Sequence, residues 1–165
     1  MAKALKSAAS PKRRKTDRPA PILAKVDFPV MELRRAKDDE GFVKPFKNSD
    51  LKISIQARAS AVKDDDGILY TLLRVTVGLD AFTTGEPASS IMVGEFEAEG
   101  FFQHPDGTAL HDVHDFHAQN PDLLNQLAVR VFAFVAFEID SAVVKAGLPK
   151  PYMELTPPSI DTEVY

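Results

Sequence analysis

Four histidines fall close together at His104, His111, His114 and His117, interleaved with Asp106, Asp112 and Asp115. Imidazole nitrogens and carboxylate oxygens at short spacing are the ligands of zinc and other divalent cations. His114 and His117 stand three apart, as two ligands on one helix face would. The preceding Pro105-Asp106-Gly107 is turn chemistry, however, and no H-E-x-x-H arrangement sets a general base beside a metal. The cluster therefore reads as a polar surface connector in a loop, with adventitious metal binding as the alternative, and no metal site is assigned. The sequence contains no Gly-rich phosphate loop, serine elbow or dinucleotide fingerprint. With no cysteine there is no thiolate nucleophile or thiolate zinc site either. No catalytic residue and no cofactor is expected, and the chain reads as a non-enzyme.

Two other groups could make contacts. Glu95, Glu97 and Glu99 recur at spacing two with Ile91 and Val93, opposite an apolar set of Met92, Phe96, Ala98 and Phe102. On a strand that parity gives one core face and one open acidic face, which is a solvated surface or a docking surface for a basic partner. Asp27 lies opposite the apolar Ala24, Val26, Phe28 and Val30 and should share the acidic face. Phe42 and Phe46 sit in an acidic loop containing Gly41 and Pro45. They either anchor that loop or offer apolar surface to a bound polypeptide. Phe28, Phe96 and Phe102 are expected in the core.

The elements that must position these residues are legible from periodicity. Strict alternation over Leu51–Val62 predicts a strand. So do the apolar pattern from Ala24 to Val30, the β-branched run from about Ile68 to Phe82, and Ile91–Gln103. Asp66-Gly67 supplies hairpin chemistry between the second and third strands, and Thr84–Pro87 marks the next turn. From Pro121 to Lys145 the pattern is helical, with Asn120 as cap, Pro121 at the first position, and Gly147 and Pro149 after the end. Gln126, Arg130, Glu138, Ser141 and Lys145 form one polar sector on that helix. Most of the rest is apolar, and Phe134 falls inside the polar sector. A helix this apolar should cover the sheet on one side and a second subunit on another. The expected fold class is α+β: a four-stranded antiparallel meander with a long C-terminal helix packed on one face.

The chain has 165 residues, of which 44% are hydrophobic and 27% charged, which suits one soluble globular domain. Residues 1–20 hold seven Lys and Arg against one Asp, a net of +6, so the rest must carry −10 to reach the total of −4. Residues 1–21 are read as a flexible basic tail and 22–165 as the folded domain. The tail leaves open a contact with nucleic acid, with an anionic surface, or with the acidic body of its own oligomer. No apolar stretch follows its basic residues as in a signal peptide, and none is long enough to span a bilayer. The expectation is a cytoplasmic protein with no membrane insertion.

Several strings resemble the SecB family of export chaperones. Leu73-Arg74-Val75-Thr76-Val77 is similar to part of that family's third strand. Ile91–Phe96 and Glu99–Phe102 are similar to its fourth. The end of the long helix, then Pro151 and Leu155–Asp161, resembles its Gly-then-Leu-x-Pro-x-x-Phe-Asp segment. The resemblance runs over about residues 22–161. It implies a dimer of dimers that holds unfolded polypeptide without nucleotide and hands it to the SecA motor. By position, Asp27, Val93, Glu95 and Glu97 would contact SecA, and Phe42, Phe46, Phe101 and Phe134 would contact clients. The family commonly ends in a further helix and an acidic tail, which are not expected in a sequence reaching Tyr165 four residues after Asp161. Two alternatives stand beside delivery to SecA. One is a SecB-like chaperone dedicated to a partner such as an antitoxin, and the other a nucleic-acid-associated oligomer using the basic tail.

Overall fold

The computed structural model describes residues 19–37, 41, 49–84, 89–146 and 160–162. Residues 1–18 of the basic tail, Phe42, Phe46, the Gly85–Pro87 part of the predicted turn, and Gly147 to Ser159 lie outside the described residues.

Four long strands form the body: β1 (Ile22–Arg35), β2 (Ser49–Lys63), β3 (Leu69–Thr83) and β4 (Ser90–Gln103). They are antiparallel, as the alternation predicts. β2, β3 and β4 follow one another as a meander, whereas β1 lies against β4, so the order is β1-β4-β3-β2. β1 and β2 therefore flank the β3–β4 pair, a Greek-key order within the expected four-stranded antiparallel sheet. A short β5 (Ile160–Thr162) adds a parallel edge to β2.

The β2–β3 hairpin closes as its residues dictate. Asp64 Oδ1 accepts the Ile68 amide at 2.7 Å, and Gly67 takes a left-handed φ of 85°.

Two helices follow β4. α1 spans Leu110–Gln119, and α2 spans Pro121–Lys145, matching the predicted long helix. α1 was expected to be loop. Its periodicity is weak because only Val113 and His117 are buried along it, so tertiary contact decides the conformation. Its start is fixed by Asp112, whose Oδ2 accepts the Ala109 amide at 3.0 Å. Asn120 joins the two helices but does not cap α2 with its side chain. Its Nδ2 instead donates back to the Phe116 carbonyl at 2.9 Å and closes α1.

α2 buries Leu124, Leu127, Ala128, Val131, Phe132, Val135, Ile139 and Val143, a three-and-four spacing, against the inner face of the sheet. That face carries Leu73, Val75, Val77 and Leu79 of β3 and Phe96, Ala98 and Phe102 of β4. A Cβ on Gly100 would run into the Val131 side chain, so glycine there lets α2 approach β4.

Two predicted faces need correction. Pairing in β1 slips between Leu23 and Lys25 and again between Asp27 and Val30. The second bulge takes up Phe28 and Pro29. Phe28 is therefore 36% exposed and not core, and Val30 stands beside Glu97 on the outer face. At the start of β4, Ala81 pairs with Met92 and Phe82 with Ser90, so Ile91 is the extra residue of a bulge. Ile91 is fully buried and does not join Val93 on the open face.

Candidate interaction surfaces

The outer face of the sheet has α2 on its opposite side and presents rows of residues set by register. One row runs Asp27, Glu99, Arg74, Arg58, the next Val30, Glu97, Thr76, Gln56, and the next Glu32, Glu95, Gly78, Ser54. Asp27, Val93, Glu95 and Glu97 therefore share one face, as strand parity predicts. They differ in availability. Glu97 and Glu99 are largely covered, with side chains 17% and 16% exposed, because both reach the Arg74 guanidinium. Asp27 is half-buried and lies 2.5 Å from Lys25 Nζ. Glu95 and Val93 are exposed, Val93 by 52%. The free acidic surface is thus narrower than three glutamates at spacing two suggest, since a cross-strand arginine occupies two of them.

At the other end of this face Phe101 and Tyr70 pack edge to face, with ring centroids 6.2 Å apart, and Lys25 Nζ stands 5.6 Å from the Phe101 centroid. Ala24, Val62, Lys63 and Asp64 complete an open pocket of about 340 Å³ around them. The Tyr70 hydroxyl donates to Asp64 Oδ2 at 3.1 Å. Burial and then that carboxylate raise the phenol's pKa above its ordinary value.

The outward side of α2 is the second surface. Phe134 is 44% exposed, in keeping with its place in the polar sector. Phe137 at 71% and Val144 at 60% are more exposed, and sequence reasoning passed over both. The signal was present: Arg130, Phe137 and Val144 recur every seven residues, about 20° apart in helical projection, so both apolar residues follow the arginine's face. Phe101 and Phe134 lie on opposite sides of the sheet, so the fold does not bring these two candidate client contacts together.

The histidines are not the surface connector that was expected. His111 is exposed, but His104 and His117 are buried. The Thr71 hydroxyl, itself fully buried on β3, lies 2.8 Å from Nε2 of His104 and 2.8 Å from Nε2 of His117. Phe116 packs edge-on against His104 at 5.3 Å. Burial lowers the pKa of both imidazoles. That of His117 falls to about 4, with His104 and His114 adding repulsion. Among the described residues no group of three or more His, Cys, Asp or Glu is placed to hold a metal. No helix among them is long and apolar enough to cross a membrane.

No protein-family model and no curated protein matches the chain. Among solved structures, the chain is similar to the Mycobacterium tuberculosis Rv1957 SecB-like chaperone, solved in complex with a ChAD peptide from the Rv1956 HigA1 antitoxin. The TM-score is 0.55 at 9% sequence identity, over 82% of this chain and 90% of that one. The likeness covers the antiparallel sheet and the helices packed on it, and the fold is SecB-like.

Proposed function

We propose that this SecB-like chain is a holding chaperone, one that binds unfolded polypeptide without nucleotide and has no catalytic site. One observation carries the reading: a chain of the same fold, alike over most of its length, is a chaperone solved with a peptide bound. Exposed apolar side chains supply the chemistry, since large ones on a folded surface mark interaction sites when they cluster. Phe101 in its pocket and Phe134 on α2 are the described candidates for client contact. Phe42 and Phe46, outside the described residues, are proposed to extend that surface.

The stripe through Phe134, Phe137 and Val144 serves a second copy of the chain as well, giving a homotetramer built as a dimer of dimers in the cytoplasm. In this reading clients pass to SecA, which docks on the outer face through Val93 and Glu95, with Asp27 and Glu97 beside them. A dedicated antitoxin chaperone is the second reading, favoured by the antitoxin peptide held by the similar structure. Calorimetric titration with a permanently unfolded polypeptide, with and without ATP, tests the chaperone reading. Equal binding in both conditions supports it, and no binding in either refutes it. Titration with SecA, and separately with the antitoxin from the same cell, then separates the two readings.

A further inference from the structure

We propose that the Thr71–His104–His117 knot is a proton-released latch that holds helix α1 on the sheet at neutral pH and frees it in acid. One hydroxyl serves both imidazoles. It has one proton to give, so it donates to one Nε2, whose ring must be neutral, and accepts N–H from the other; burial keeps that second ring neutral as well, so at neutral pH the two are opposite tautomers. A proton added to the accepting ring removes its lone pair and its hydrogen bond. Protonating both rings sets two cations on one oxygen and leaves the hydroxyl proton without an acceptor.

Among the described residues no buried carboxylate offsets such charge. The inward residues of the same sheet row, Ala61 of β2 and Phe102 of β4, are apolar. The groups that act electrostatically on His117 are His104 and His114, both of the same sign once protonated. Of the nearby carboxylates, Asp112 is engaged by the Ala109 amide and by His111 at 3.5 Å, while Asp115 and Asp122 face solvent.

α1 also has little else to hold it. It is 10 residues long, and His117 is one of its two buried side chains, beside Val113. When it lifts, Val113 and Phe116 lose their cover, which adds apolar surface beside the sheet. The latch does not depend on the chaperone reading. Only the use of that surface for clients rests on it.

Hydrogen exchange, expressed as protection factors so that intrinsic pH effects cancel, tests the latch directly on the intact chain. An imidazole that titrates at about 4 when closed and at the ordinary 6.5 when open should raise the opening of α1 about 20-fold between pH 7 and pH 5. Amides of Val113 to Gln119 should lose protection by that factor while those of β3 and α2 keep theirs. Unchanged α1 protection, or loss in step with α2, overturns the proposal. In His117→Gln, which keeps a donor and an acceptor but cannot charge, the pH dependence should shrink, and an undiminished fall would contradict the latch. If that variant does not fold, His117→Leu, which cannot charge either, makes the same test. Imidazole carbon shifts of wild type decide independently: His117 titrating near 6.5 while α1 is still closed overturns it.

Discussion

The Arg74 guanidinium reaches across the β3–β4 ladder to Glu99, with Nε 2.9 Å from Oε1, and also lies 3.3 Å from Glu97. One arginine thus engages two of the three glutamates on the outer face, offsetting one of their two charges, and leaves Glu95 as the available one. The arginine side chain is 48% exposed, so solvent screens the pair and its contribution to folding is small. A double-mutant cycle with Arg74→Ala and Glu99→Gln, read by urea unfolding, should give a coupling of about 0.5–1 kcal/mol. A coupling near zero would mean that the Arg74–Glu99 pair contributes nothing measurable to folding.

Glu95 is where the outer face can be tested without disturbing the fold. Glu95→Lys should cost well under about 1 kcal/mol of stability, because the carboxylate is exposed. At a complementary interface the same change sets like charges together and should weaken SecA binding by roughly a hundredfold. Glu97→Gln, tied to Arg74, should weaken it much less. Interferometry with purified SecA reads both. Full binding by Glu95→Lys would show the face to be only a solvated strand surface.

The stripe on α2 predicts self-association. Phe137→Glu places charge at the most exposed large apolar side chain of α2 and should leave the folded subunit intact while lowering the mass seen by light scattering. Phe134→Glu should act in the same direction. A wild type that is monomeric at micromolar concentration would contradict the proposed tetramer.

The buried imidazoles make stability depend on pH with a definite sign. His117 has a lower pKa folded, about 4, than unfolded, 6.5, so between those values the unfolded chain binds more protons. Stability is full above about pH 6.5 and falls as the pH drops toward 4, by up to roughly 3 kcal/mol for this ring. Thr71→Val keeps the shape of the side chain but removes the shared hydroxyl and strands two buried nitrogens. It should cost about 1–3 kcal/mol at pH 7.5 in urea unfolding. A flat pH profile, or a neutral Thr71→Val, would remove the knot from the account of the fold.

Much of this fold was legible in the sequence because the strands are long and half-buried. Leu51 to Ser60 alternates in exposure as in composition, and α2 begins at Pro121 and ends at Lys145 as its pattern requires. Misreadings fell where a local irregularity shifts phase. The bulges at Phe28 and Ile91 each turn a side chain to the other face, which a fixed period of two cannot anticipate. The order of β1 next to β4 is a pairing between strands distant in sequence and leaves no local signature. The histidines misled for another reason. Burial of His104 and His117 depends on Thr71, more than thirty residues earlier in the chain, so spacing within the cluster could not reveal it. At the candidate contacts, exposure of Phe134 followed from the helical projection, whereas the partner of Glu97 and Glu99 required the β3–β4 register.

Chaperone activity itself is measured most directly by adding this protein, without ATP, to a chemically denatured test protein on dilution and following aggregation by light scattering. Near-equimolar protein should suppress the scattering. Phe101→Ser combined with Phe134→Ser should weaken suppression several-fold while the unfolding midpoint moves little, since both side chains are at least partly exposed. Aggregation that proceeds unchanged at a several-fold excess of the wild-type protein would contradict the holding-chaperone reading.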